Sequence, residues 1–268
     1  MKDDIMTMYC IGFIFGLIMG SFLNVCIYRI PRGESIVTPP SHCPNCGTRL
    51  TPLDLIPLLS YLVYRGSCRY CGLKISPRYF LVEFLTGIVS VALFLKYSLT
   101  VDFGAFCFLM AILIGVFFID LEYQIIPNEF VLVGMIGGTI LFFYNLFRPV
   151  LIYHDHLWWN PLLGLVSGSG FLLSVAFLGS LLYKNEEVMG MGDVKLFAPI
   201  GLFLGWRMTL LALFISVVLG GMSSLLLILL GKANRKSMIP FGPFIVIGVF
   251  ITVMWGWYIL HWYVSTYF

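Results

Sequence analysis

Long apolar runs separated by short polar breaks fill almost the whole chain. Seven runs approach the roughly 20 mostly apolar residues that a membrane-crossing helix needs. They cover 8–28, 79–96, 103–120, 128–147, 161–183, 208–231 and 240–262. An eighth, 196–206, is short and fits either a half-helix or a tilted span that begins near the preceding glycines. The runs are continuous rather than alternating, which selects helices over a β-barrel, because every backbone polar group must be satisfied inside the bilayer. One long polar segment stands between the first two runs. The outer connection near 148–160 carries His154, Asp155, His156, Trp158 and Trp159. That composition reads as a polar turn with interfacial tryptophans, with a metal site as the alternative.

Composition supports this picture. Of 268 residues, 60% are apolar and only 11% charged, with a mean hydropathy of +0.97. Soluble domains carry roughly 25% charged residues. A net charge of +3 gives no electrostatic footprint for nucleic acid. The first run follows Lys2, Asp3 and Asp4 rather than a positive stretch and ends in Arg29 with no small-residue cleavage site. It is therefore read as a retained first span.

Lys and Arg fix the expected orientation, since cytoplasmic connections hold their excess. With eight crossings and the polar insert in the cytoplasm, twelve of the sixteen basic residues fall inside. Lys2, Lys96, Arg148 and Arg207 fall outside, as does the N-terminus. Without a crossing at 196–206, Lys232, Arg235 and Lys236 would also lie outside, so the charge bias favours eight.

Cys10, Cys26 and Cys107 lie in apolar runs and read as small buried hydrophobes. The other four form two pairs in the insert, Cys43-Pro-Asn-Cys46 and Cys68-Arg-Tyr-Cys71. Each pair can bend both thiolates toward one ion, and two pairs supply a tetrahedral zinc site. The 21 intervening residues slightly exceed the usual zinc-ribbon spacing. Disulfides and a redox pair are the alternatives, and a reducing cytoplasm disfavours the first. Gly47 and Gly72 follow the second cysteine of each pair, where the backbone must turn. The stretch from Leu55 to Tyr64 is apolar and is expected to pack on the ribbon or to lie against the membrane surface. The predicted fold is thus an all-α polytopic membrane protein of about eight helices with a zinc-ribbon-like insert. Its parts are a first helix (1–30), a cytoplasmic zinc-binding domain (31–78) and a helical bundle (79–268).

Glu83, Asp120, Glu129 and Asp193 are the main acids in or beside the spans. An ionisable residue there is a functional candidate, with a helix cap as the ordinary alternative. The predicted topology brings Asp120, which closes the third run, and Asp193, which precedes 196–206, to one side at similar depth. Two close carboxyls cannot both ionise; one holds a proton while the other activates water, as aspartyl peptide hydrolysis requires. Gly190 and Gly192 would let a substrate backbone approach Asp193.

Gly190-Met191-Gly192-Asp193 fits the GxGD signature of intramembrane aspartyl proteases. The ordered set around it resembles the type IV prepilin peptidases. It comprises Gly20-Ser21-Phe22-Leu23-Asn24-Val25, Tyr28-Arg29-Ile30-Pro31, the cysteine tetrad, Ile75-Ser76-Pro77-Arg78-Tyr79, Asp120-Leu121-Glu122, Ile126-Pro127-Asn128 and Val194-Lys195-Leu196. The resemblance implies cleavage of a short basic leader from prepilins or pseudopilins, after a glycine, at the cytoplasmic face. It implies catalysis by Asp120 and Asp193, zinc ligation by Cys43, Cys46, Cys68 and Cys71, and N-methylation of the new terminus with S-adenosylmethionine. Many members carry Asp where this chain has Asn128, so Asp120 is the better catalytic match. No glycine-rich cofactor fingerprint is present. Glu83 is a candidate to receive the new amino terminus or the methyl donor, with a helix-end pair to Arg78 as the alternative. Glu122, Glu129, Glu186 and Glu187 are candidates to attract the basic leader. Another GxGD protease, or a transporter or scaffold with a zinc docking domain, are the competing classes.

Overall fold

The computed structural model describes residues 2–155, 157–182, 190–232 and 239–267, without the side chains of 2–5. The described residues hold eight α-helices: α1 (Lys2–Arg29), α2 (Leu59–Val63), α3 (Arg78–Tyr97), α4 (Val101–Tyr123), α5 (Asn128–Phe147), α6 (Asn160–Leu182), α7 (Met191–Leu229) and α8 (Gly242–Tyr267). All but α2 are long and apolar enough to cross a membrane. The chain divides into two compact units, Met1–Phe103 and Gly104–Phe268.

In the first unit α1 and α3 pack antiparallel through small residues. A Cβ on Gly16 would meet Ser90 and Gly87 within 2.8 Å, and one on Gly20 would meet Glu83 Cα at 2.7 Å. Ser90 Oγ donates to the Gly12 carbonyl at 2.7 Å and Asn24 Nδ2 to the Tyr79 carbonyl at 2.9 Å. Close backbones and interhelical hydrogen bonds hold helices together where lipid removes the hydrophobic incentive. The opposite face of α1 exposes Ile11, Ile14, Phe15, Ile18 and Phe22. Cys10, expected to be buried, is exposed beside them, while Cys26 and Cys107 are buried.

In the second unit α7 departs from the expected separate runs at 196–206 and 208–231. Helix continues from 191 to 229 except at Gly205, where φ is 71° and ψ 169°. That conformation is open essentially to glycine alone. Gly168 of α6 lies against both Phe197 and Thr209, so the two legs of α7 stand side by side and Gly205 is a hairpin apex. The first leg, 191–204, is about 21 Å long at 1.5 Å per residue, shorter than the roughly 30 Å apolar core. It starts at Met191, by the glycines where the tilted-span alternative began it, so Asp193 lies inside its first turn rather than ahead of it.

A polar latch holds the apex. Asn160 Oδ1 accepts the Trp206 N–H at 3.1 Å and its Nδ2 donates to Asp155 Oδ2 at 2.7 Å. Arg207 pairs with the same oxygen at 3.1 Å, and Tyr153 Oη donates to the Leu202 carbonyl at 2.6 Å. His154, His156 and Asp155 were a possible metal group. Asp155 is taken by this latch, His154 packs on Trp257 with ring centroids 4.3 Å apart and the planes tilted by 37°, and His156 lies outside the described residues.

Candidate active centre and metal site

Neighbour order within the second unit sets which helix ends meet. Gly134 and Gly138 of α5 follow Pro199 and Leu202 in parallel with the first leg. Gly256, Gly248 and Gly220 follow Met208, Ser216 and Phe241, so α8 runs antiparallel to the second leg. The end of α4 and the starts of α5, α7 and α8 therefore converge, bringing Asp120 and Asp193 together.

Asp120 is 6% exposed, three residues before the end of α4. Its Oδ2 accepts the backbone N–H of Gly242 at 2.8 Å. Gly242 opens α8, so the carboxyl meets a helix N-terminus, where free N–H groups and the helix dipole favour an anion. A Cβ at Gly242 would stand 2.6 Å from Oδ2, so only glycine permits this approach. Asp193 is half-buried, with its N–H bonded to the Gly190 carbonyl at 3.2 Å. Its neighbour Gly192 faces Ile126, in the connection six residues after Asp120, which places Asp193 at the same helix junction.

The two signature glycines face different surroundings. A Cβ on Gly192 would meet Ile126 at 3.0 Å, so this position lets the α4–α5 connection approach. Among the described residues, a Cβ on Gly190 would meet Asp193 Oδ2 alone, at 3.3 Å, and the residue is exposed. Asn128 accepts from Lys195 Nζ at 3.3 Å, tying α5 to the first leg. Ser169 Oγ donates to the Val194 carbonyl at 2.9 Å. From that level α6 continues to Leu182, about 20 Å further, with exposed Phe171, Phe177 and Leu181. The aspartates thus lie within the apolar height of this unit. Glu122 and Glu129 are exposed; Glu186 and Glu187 lie outside the described residues.

In the insert, the Sγ atoms of Cys43, Cys46, Cys68 and Cys71 all lie within 4.8 Å of one another. A zinc tetrahedron with 2.3 Å bonds needs about 3.8 Å between sulfurs, so the cluster fits that ion after small adjustments. The two knuckles have one geometry, offset by 25 residues. Cys43 N–H bonds Thr48 O as Cys68 N–H bonds Leu73 O, and Gly47 N–H bonds Cys43 O as Gly72 N–H bonds Cys68 O. Gly47 and Gly72 have φ of 68° and 71°, as their positions after the second cysteines required. The isolated bridges His42–Arg49 and Ser67–Lys74 repeat the offset. Hydrogen bonding to Thr48 lowers the Cys46 thiol to about 6, toward the thiolate a metal needs.

Glu83 is half-buried in α3. Its Oε2 accepts the Leu58 N–H at 2.9 Å, and Ser21 of α1 bonds the same carboxyl. Leu58 has a φ of 58°, unusual for a branched side chain, and this bond helps hold it there.

Membrane-spanning helices with two carboxyls at a shared helix junction define the chain as a polytopic membrane protein with a paired-aspartate centre. Residues 14–97 match the bacterial peptidase A24 N-terminal domain, and residues 107–225 match the type IV leader peptidase family. These matches fall on either side of the Phe103/Gly104 boundary. The chain is 33% identical to a prepilin leader peptidase/N-methyltransferase of Aeromonas salmonicida (strain A449), over 96% of this chain and 94% of that protein. It is 34% identical to the Bacillus subtilis (strain 168) protein of the same name, over 96% and 98%. The Legionella pneumophila protein of that name is 32% identical over 96% and 95%. No solved structure matches. The chain belongs to the type IV leader peptidase family.

Proposed function

We propose that this chain cleaves the basic leader of type IV prepilins or pseudopilins after a glycine, and N-methylates the new terminus with S-adenosylmethionine. The observation that carries the proteolytic part is the meeting of Asp120 and Asp193 at one helix junction. One carboxylate takes a proton from water as the water attacks the scissile carbonyl. The other, protonated, donates to the carbonyl oxygen; as the tetrahedral intermediate collapses it recovers a proton from that hydroxyl, while the first carboxyl passes the proton taken from water to the leaving amine. The Gly242 N–H fixes one oxygen of Asp120, so the carboxyl is oriented before substrate arrives. Exposed Gly190 beside Asp193 supports close approach of an extended substrate backbone, and Gly192 brings Ile126 to the same edge. Apolar α6 beyond the aspartates suits a substrate whose own apolar helix lies in the bilayer.

In this reading residues 1–30 anchor the chain, 31–78 form the cytoplasmic zinc-binding domain and 79–268 contain the protease centre. The protein lies in the inner membrane with its N-terminus outside and its aspartates toward the cytoplasm. The charge bias, in which Lys195 is one of the twelve inside residues, supports this orientation. Cys43, Cys46, Cys68 and Cys71 hold zinc; four thiolates leave no open position, so the ion stabilises the insert and does no chemistry. Glu83 is the acid we assign to the methyl-transfer region. Its bonds to Leu58 and Ser21 make it a link between spans and insert, through which it would act on the amino terminus.

The test is incubation of purified enzyme with a full-length prepilin in lipid, read by mass spectrometry. Loss of the leader to the residue after glycine, and a methyl group added only with S-adenosylmethionine present, are expected. Cleavage at another position, or none, would contradict the assignment.

A further inference from the structure

The segment between the two knuckles is apolar yet faces outward. Leu59, Leu62 and Val63 on α2 are 59%, 59% and 70% exposed, and Leu53 and Leu55 beside them are exposed as well. This is the stretch for which the sequence left two expectations, packing on the ribbon or lying against the membrane. The structure puts only its inner side to use. Tyr61 packs on Phe80 of α3 with ring centroids 5.6 Å apart, and Phe80 stacks on Phe84.

The height of the segment follows from α3. Glu83 binds the Leu58 N–H directly. Glu83 is five residues into a spanning helix that starts at Arg78, about 7–8 Å along its axis. The backbone just before α2 is therefore drawn down beside the second turn of α3, where the side chains of that helix are already apolar. The insert is also tethered at both ends, by α1 and α3, so it cannot leave the bilayer surface. Its exposed charges are mainly positive: Arg32, Arg49, Arg65, Arg69 and Lys74 against Glu34, while the Asp54 carboxyl is enclosed by Thr51, Tyr70 and Arg69. Such a combination favours an anionic headgroup layer, because apolar burial and attraction to anionic lipid add together.

We propose that Leu53–Val63 is an interfacial anchor, with Leu59, Leu62 and Val63 inserted among the acyl chains of an anionic bilayer surface. It locks the four-cysteine insert at headgroup height. The inference does not depend on the protease or methyltransferase reading, since it rests only on the first unit.

The unmodified protein tests it in nanodiscs of phosphatidylcholine, with and without phosphatidylglycerol, each containing a lipid with a diazirine near mid-chain. Illumination followed by peptide mapping reports which side chains touch acyl chains. Expected are lipid adducts on 53–63, as on the exposed face of α1, at least twofold more abundant with phosphatidylglycerol, and none on the Cys43–Arg49 knuckle. A water-soluble diazirine should show the reverse. Absence of lipid adducts on 53–63 while α1 is labelled would overturn the proposal. So would labelling from water, cross-linking to a second copy, or indifference to phosphatidylglycerol. In Leu62→Asp/Val63→Asp protein the adducts on 53–63 should fall severalfold with those on α1 unchanged; equal labelling would likewise count against the anchor.

Discussion

Gly242→Ala separates the geometry of the aspartate centre from the stability of the fold. The added methyl would stand 2.6 Å from Asp120 Oδ2, a distance that real Cβ atoms essentially never show, and a tight 3.1 Å from its Cγ. Asp120 is buried, so its side chain has little room to retreat, and the 2.8 Å bond from the Gly242 N–H must lengthen or break. A hydrogen bond to a charged group contributes about 1.5–3 kcal/mol. At about 1.4 kcal/mol per tenfold, its loss alone lowers kcat/KM by about 10- to 150-fold. A 1 Å displacement of the carboxyl adds up to about 100-fold. Gly242 is the first residue of α8, outside the helix interior where alanine is favoured over glycine by about 1 kcal/mol, so stability has to be measured alongside activity. The assay is steady-state cleavage of a prepilin in lipid vesicles, beside a thermal unfolding scan. Gly221→Ala is the control, because nothing among the described residues lies within 4 Å of its Cβ position. A folded Gly242→Ala protein with undiminished kcat/KM would refute the role given to this amide.

Gly205→Ala should destabilise the second unit by about 1–3 kcal/mol from backbone conformation alone. Its Cβ would also collide with Asn160 Oδ1, so lowered Tm and slower cleavage are expected together; an unchanged Tm would contradict the hairpin apex. Cys43→Ser should cut bound zinc well below one per chain by elemental analysis and impair methylation at least as much as cleavage, whereas full zinc content would dismiss the four-thiolate site. Asp54 is held below the usual carboxylate range by its bonds to Thr51, then to Tyr70, with Arg69 nearby. A depressed carboxyl stabilises the fold fully above its unfolded value of about 4 and loses this as pH falls through its lower folded value. Asp54→Asn should therefore lower insert stability at neutral pH and flatten its acid limb in hydrogen-exchange profiles, and an unaltered limb would refute this.

How much of this was legible in the sequence depended on the range of each interaction. Helix positions followed from local apolarity: the expected 128–147 and 161–183 compare with Asn128–Phe147 and Asn160–Leu182. The tetrad was readable because metal ligation imposes short fixed spacings. The donor to Asp120 was not, since Gly242 is 122 residues away and is one of 27 glycines. The only local signal was Pro240-Phe241-Gly242-Pro243, a helix start flanked by prolines. Gly205 was equally silent, because the residues that leave no room for a side chain there are Asn160 and Tyr153, distant in sequence. The two Cys-x-x-Cys-Gly motifs were visible at a 25-residue offset, but the matching backbone hydrogen bonds that make them one repeated knuckle were not. Glu83 stood out as an acid in a span, but its Leu58 partner could be found only in the structure.

The central claim is that Asp120 and Asp193 work as one pair. Cleavage of a prepilin by Asp120→Asn, Asp193→Asn and the double variant, each with its unfolding temperature measured, tests this most directly. The account predicts folded proteins in which either single change abolishes cleavage and the double change costs no more than one alone, because a unit already broken cannot be broken again. Normal processing of the prepilin by folded Asp193→Asn protein would contradict it.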